Sequence, residues 1–151
     1  MKYTLELPIH KSRAEVWRTF DNPKNIKNWQ TTLVKFETVN GIQGQPGAVS
    51  NLTYGEGKRE FVLTEKVTLR AEPERFDVMI ENDFADNSVK NTFIAISENE
   101  TLWKIEVNFK FKTLLMKLIG PFVKKNFVKR SEKEMERFKE FVEKPSALSG
   151  E

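Results

Sequence analysis

Residues 2–10 alternate without a break: Tyr3, Leu5, Leu7 and Ile9 fall on one face, and Lys2, Thr4, Glu6 and His10 on the other. A period of two marks a strand with one buried face. The pattern then lengthens. Ser12-Arg-Ala-Glu15 reads as a capping box, in which a hydroxyl and a carboxylate satisfy the free N–H groups of a helix start. It predicts a short helix to about Phe20 with Val16, Trp17 and Phe20 turned inward. Asn22-Pro23 restarts the chain as N-cap and first helical residue of a second short helix that ends near Trp29.

Strands follow at residues 33–40, 48–54, 58–70, 76–81, 91–97 and 102–112. In 58–70 the residues Phe61, Leu63, Val67 and Leu69 share a face, with Glu65 among them, while Glu60, Thr64, Lys66, Thr68 and Arg70 occupy the other. In 102–112 the inward set is Trp103, Ile105, Val107, Phe109 and Phe111. The strand at 91–97 is apolar on both faces, so its orientation stays open; residues 82–87 read as a polar turn. Gly41, Gly44 and Gly47 sit in one loop, but neither a Lys-Ser/Thr pair nor a helix follows. The loop therefore reads as a flexible hairpin connection and not as a phosphate cradle.

Residues 113–144 change period again. Leu115, Leu118, Phe122, Phe127, Met135, Phe138 and Val142 recur at three- and four-residue steps and place one apolar stripe on a long helix. The stripe thins at Ser131. Gly120-Pro121 inside it predicts a kink or break, because proline lacks an amide donor and crowds the preceding turn; the main segment is then 121–143. Residues 1–144 are expected to be one domain and 145–151 a loose, flexible tail. The whole reads as α+β: a curved antiparallel seven-stranded sheet, its first strand paired with its last, wrapped around a long C-terminal helix. Two short helices between strands 1 and 2 would plug one end. A bent sheet closing on a rod leaves a gap, and that gap is the expected working site.

These elements resemble the START-like (SRPBCC) superfamily, the helix-grip fold that includes polyketide-cyclase-like, lipid-transfer and pollen-allergen-like proteins. The carriers are Ile9-His-Lys-Ser12-Arg-Ala-Glu-Val16-Trp17, then Asp21-Asn-Pro23 and Trp29; the hairpin Gly44-Gln-Pro-Gly47-Ala; and the Gly-Pro within 114–125. The resemblance spans about residues 2–143. It implies a cavity between helix and sheet that takes an apolar small molecule, and no fixed catalytic set.

Composition narrows the chemistry. The 151 residues include twelve Phe against two Tyr, one His and no Cys, with a formal net charge of +3. Without cysteine there is no disulfide frame, thiol nucleophile or thiolate metal site, which suits a cytoplasmic location. The N-terminus alternates and holds no signal-peptide core. With a single histidine, neither a hydrolase triad nor a zinc site has enough ligands, so no metal and no cofactor is expected. His10 reads as a surface imidazole, with general-base chemistry as its alternative.

The net charge is too small to imply nucleic acid, but residues 107–130 hold seven cations and no acid. That run reads as a solvated helix face or as a surface for an anionic ligand head or anionic membrane.

Glu65 is the candidate acid/base: an apolar surround raises a carboxyl pKa. The alternative is a salt bridge or a water-bonded place at the rim. The candidate ligand contacts are Trp29, Asn51, Phe61, Leu63, Glu65, Val78, Phe93, Trp103, Ile105, Phe127 and Ser131. Asn51 belongs there only if its strand turns it inward.

Three functions follow. The favoured one is a binding or transport module for a small hydrophobic or amphipathic molecule, lipid-like or polyketide-like. The second is a cyclase- or isomerase-type enzyme on an apolar carbonyl compound with Glu65 moving protons. The third is an interaction module docking through the basic helix segment. The sequence sets no oligomeric state.

Overall fold

A computed structural model of the chain describes residues 1–145. Seven strands form one antiparallel sheet in the order β1-β7-β6-β5-β4-β3-β2. They are β1 (Lys2–Ile9), β2 (Leu33–Asn40), β3 (Val49–Glu56), β4 (Arg59–Ala71), β5 (Arg75–Glu81), β6 (Ala85–Ser97) and β7 (Glu100–Phe111). Every connection from β2 to β7 is a hairpin. β1 closes the far edge by pairing with β7, from Lys2 opposite Asn108 to Ile9 opposite Thr101. Helix α1 (Arg13–Asp21) and a 3₁₀ helix (Pro23–Asn28) lie between β1 and β2, and α2 (Leu114–Glu143) ends the fold. This is the helix-grip arrangement.

The local signals act as their chemistry requires. The Ser12 hydroxyl accepts from the Glu15 amide at 3.2 Å, and the Asn22 side chain accepts from the Lys24 amide at 3.1 Å with Pro23 opening the 3₁₀ helix. Thr113 caps α2 by accepting from the Met116 amide at 3.1 Å.

Four details differ from the expectation. First, α2 runs unbroken through Pro121, so the expected break does not form. Gly120 has no Cβ to crowd the proline ring. It is also buried against Phe111, so closely that a Cβ there would meet the ring at 2.5 Å. Second, β4 carries a bulge: Val67 pairs with Val78 but Leu69 with Asp77. The extra residue reverses the alternation. Arg70 therefore turns inward, not Leu69. Its guanidinium makes a two-pronged bond to Asp21 (2.7 and 2.8 Å), donates to the Gly44 carbonyl at 3.2 Å and lies 5.3 Å from the Trp17 ring centroid.

Third, the turn before β6 is shorter than 82–87. The Asn82 side chain accepts from the Phe84 and Ala85 amides at 2.7 and 3.0 Å, and the strand begins at Ala85. This orients β6, with Asn91 and Phe93 inward and Ile94 and Ile96 outward. Fourth, the expected single stripe is two: the five-residue step from Phe122 to Phe127 puts Leu115, Leu118 and Phe122 on the opposite side of α2 from Phe127, Phe138 and Val142, and they are exposed. Of the expected tail at 145–151, residues 146–151 lie outside the described residues.

The core sits at the α1 end of the grip. Ile9, Val16, Trp17, Phe93, Trp103, Phe138 and Val142 are all buried there. Aromatic rings meet edge to face: Phe20 with Phe93 at 5.1 Å, Trp29 with Phe138 at 4.8 Å, and Trp103 with Phe138 at 5.1 Å.

Candidate functional site

Beyond that aromatic cluster, sheet and helix separate and leave a cavity of about 340 Å³. Its floor is the inner face of β4 to β7. Alternation supplies Phe61, Leu63 and Glu65 from β4, Val78 and Ile80 from β5, Asn87, Val89 and Asn91 from β6, and Trp103, Ile105, Val107 and Phe109 from β7. Its roof is α2, where Phe127, Arg130, Ser131, Glu134 and Met135 recur at helical spacing. Tyr3, Phe20, Trp29, Gln30, Tyr54, Phe76 and Asn82 complete the wall. A smaller cleft of about 110 Å³ shares Phe20, Trp29, Gln30, Glu65 and Phe76 and continues towards Ser50 and Gly44. Glu65 stands where the two meet.

The polar groups of the wall fall into two sets. One set is committed. The Tyr54 hydroxyl donates to Gln30 Oε1 at 2.8 Å, and Tyr3 shares a 2.9 Å hydrogen bond with Ser131. Asn91 accepts from Trp103 Nε1 and donates to the Phe76 carbonyl, both at 3.1 Å. The other set is open. The carboxyl groups of Glu65 and Glu134 make no hydrogen bond or ion pair with another described residue. The buried Oδ1 of Asn87 has no hydrogen-bond partner among the described residues. Ionised Glu65 and Glu134 only accept, and so does a carbonyl oxygen.

Burial governs the electrostatics. Removal from water pushes the Glu65 carboxyl up to about 7. The same effect brings Glu134 to about 7 against the opposing pull of the Arg130 and Arg137 guanidinium groups. Burial raises the Tyr54 phenol well above its ordinary value, helped by the negative charge of Glu134 and Glu65. Burial raises Tyr3 as well, against its bond to Ser131. Two carboxyls on facing walls, one from the sheet and one from the helix, thus change charge near neutrality.

The structure brings together nine of the eleven residues singled out in the sequence. Trp29, Phe61, Leu63, Glu65, Val78, Trp103, Ile105, Phe127 and Ser131 line the cavity. Asn51 does not. The inward positions of β3 are Ser50, Leu52 and Tyr54, which turns Asn51 to the outer face. Phe93 faces inward but is packed solid between Trp17 and Trp103, away from the void. His10 is exposed at the end of β1, where its backbone amide donates to Glu143 Oε2 at 2.9 Å. Sequence reasoning missed Glu134, Tyr54, Asn87 and Asn91. Only Glu134 had a usable signal: it sits one turn beyond Ser131, beside Met135 on the stripe. Among the described residues, no group of three or more His, Cys, Asp or Glu side chains is placed to hold a metal ion.

No family model matches the sequence, and no curated protein matches it significantly. Solved structures do match. A START superfamily protein from Mycobacterium smegmatis aligns with a TM-score of 0.77 at 15% identity, over 94% of this chain and 97% of that one. Ara h 8.0201 aligns with a TM-score of 0.73 at 19% identity, over 94% and 97%. Truncated norcoclaurine synthase from Thalictrum flavum aligns with a TM-score of 0.73 at 14% identity, over 95% and 94%. The chain has the START-like helix-grip fold over nearly its whole length.

Proposed function

We propose that the protein binds or carries a small amphipathic molecule in the cavity between sheet and α2. The carrying observation is the cavity itself: about 340 Å³, walled by aromatic and aliphatic side chains, with a few convergent polar groups left open. That is the ordinary build of a small-molecule site. The open groups narrow the ligand. When ionised, above about pH 7, Glu65 and Glu134 offer only acceptors, as Asn87 Oδ1 does, so the ligand has an apolar body and a polar end with N–H or O–H donors. A ligand lacking them would leave buried acceptors unsatisfied, at a cost of roughly 1–3 kcal/mol each.

Native mass spectrometry of the purified protein is expected to show a co-purifying small molecule. The stripped protein should take up a hydrophobic fluorophore at micromolar concentration, and alkyl amines or alcohols should displace it better than fatty acids of equal length. No uptake of either fluorophore or amphiphile would overturn the reading.

A second reading is an enzyme of cyclase or isomerase type on an apolar carbonyl compound. Its support is Glu65, a carboxyl brought near 7 on the wall of an apolar cavity, where it can both give and take a proton. A synthase among the structural neighbours supports the fold's capacity for such chemistry. Glu65→Gln should abolish any turnover found; unchanged turnover would end this assignment.

A further inference from the structure

The first third of α2 carries a second apolar surface that the fold does not use. Gly120 is buried on Phe111, and this face of the helix belongs to the sheet. Helical spacing places Leu114, Leu115, Leu118 and Phe122 on the side away from Gly120. They are 74%, 65%, 63% and 85% exposed. Phe84, at the turn before β6, adds to the same end of the molecule: its carbonyl accepts from the Lys112 amide at 2.9 Å, and its ring is exposed. Single exposed apolar residues need no explanation, whereas a contiguous exposed group marks a surface that meets something.

Along the helix the charges beside this group are of one sign, whereas exposed Asp83 stands next to Phe84 at the turn. Lys112 pairs with Asp86 and Arg130 with Glu56. The other cations of residues 107–130, namely Lys110, Lys117, Lys124, Lys125 and Lys129, form no ion pair with a described residue. Helical spacing puts Lys125 and Lys129 on the same side as the apolar group, whereas Lys117 and Lys124 stand beside Phe109 and Phe111 on the sheet side.

We propose that this end of α2 docks on an anionic lipid bilayer, with Leu115, Leu118 and Phe122 entering the headgroup boundary and the flanking lysines meeting lipid phosphates. Charge complementarity selects this occupant. In a symmetric dimer the patch would face itself and set lysine against lysine. An acidic protein surface would satisfy the lysines but leave three large apolar side chains without an apolar partner. A bilayer with anionic headgroups supplies both at once, as for other amphipathic helices that lie in the interface. The contact is peripheral, since no described helix is long and apolar enough to cross a membrane. Phe127, in the cavity roof, lies little more than one turn beyond Phe122 but on the opposite side of the helix, so docking would bring the outer side of that roof to the lipid. The proposal stands on the patch alone and does not require the ligand reading.

The test is co-sedimentation of the full chain with phosphatidylcholine vesicles that do or do not contain about 30% phosphatidylglycerol, at low and high salt. Binding is expected on the anionic vesicles, weakening as salt rises and at least about tenfold poorer on phosphatidylcholine alone. Leu118→Ser with Phe122→Ser, and separately Lys125→Glu with Lys129→Glu, should each lower partitioning about tenfold or more while helix content and fluorophore uptake stay as in the parent. Absence of binding by the parent chain would overturn the proposal. So would variants that bind like the parent, or a micromolar dimer, dispersed by the Phe122 change, that does not bind vesicles. Capture by soluble poly-glutamate that matches vesicle binding and ignores the Leu118 and Phe122 changes would show charge alone at work and would also overturn it.

Discussion

The interior of this protein has two ends built from the same sheet and the same helix, and they finish differently. At one end α1 and the 3₁₀ helix bring Trp17, Phe20 and Trp29 against Phe93, Trp103 and Phe138, and the rings close on one another edge to face. At the other end no helix is inserted, the inward residues of β5 and β6 are Val78, Ile80, Asn87 and Val89, and a void remains. What holds it open is chemical as well as geometric. Glu65 and Glu134 face it from opposite walls, and a collapse would bury further two carboxyls that have no hydrogen-bond or ion-pair partner among the described residues. The packed end supplies stability and the hollow end keeps strained electrostatics, a division expected where a fold stores a functional site.

Substitutions should separate the two ends. The largest effect is expected from Phe138→Ala, which removes a fully buried ring that touches Phe20, Trp29 and Trp103. It should cost about 3–5 kcal/mol in denaturant unfolding, whereas Phe127→Ala, a ring already bordering the void, should cost roughly 1–2 kcal/mol. Equal losses would mean that the hollow end is as tightly packed as the other.

Next comes pH. The carboxyls of Glu65 and Glu134 sit at about 7 in the folded chain, raised from an ordinary 4.5. The folded state therefore binds more protons than the unfolded state between those values. Stability should be greatest near pH 4.5, fall as pH rises to about 7 and then level off, by about 3 kcal/mol for each carboxyl. Glu65→Gln with Glu134→Gln should flatten that slope and raise stability at pH 8; a slope that survives both changes would assign it elsewhere.

The smallest stability effect should come from enlarging a wall residue. Leu63→Phe at the hollow end should change stability by less than about 1 kcal/mol while cutting fluorophore uptake, because it grows into space. Val16→Phe in the packed end should cost about 1–3 kcal/mol and leave uptake alone. Fluorophore titration beside thermal unfolding reads both.

Much of this was legible one strand at a time. Alternation in β1, β4 and β7 is local, so the inward turn of Tyr3, Leu63, Glu65, Trp103 and Ile105 follows from residue order. The capping residues Ser12 and Asn22 likewise act within a few residues of themselves. Asn51 and Tyr54 were harder, because β3 mixes polar and apolar residues on both faces and only pairing with β2 and β4 sets its parity. Asn87 was hidden by the Asn82 turn, whose side chain shortens the connection and lengthens β6, and Asn91 by a strand whose two faces looked alike until pairing with β5 and β7 set its parity.

Residue order therefore determined the elements, their amphipathic faces and the grip of sheet on helix, since each depends on repeats of two or of three to four positions. Tertiary structure alone decided which parts of those faces are covered. The bulge in β4 sends Arg70 to Asp21 and Trp17, Gly120 lets Phe111 press on a helix that continues through Pro121, and Leu118 and Phe122 stay outside. Glu134 had a place on the stripe beside Met135, but only the seated helix brings it to the wall of the void with Tyr54. An apolar or acidic position states what it can do; the distance to the opposing wall decides whether it is buried, paired or left open to a guest.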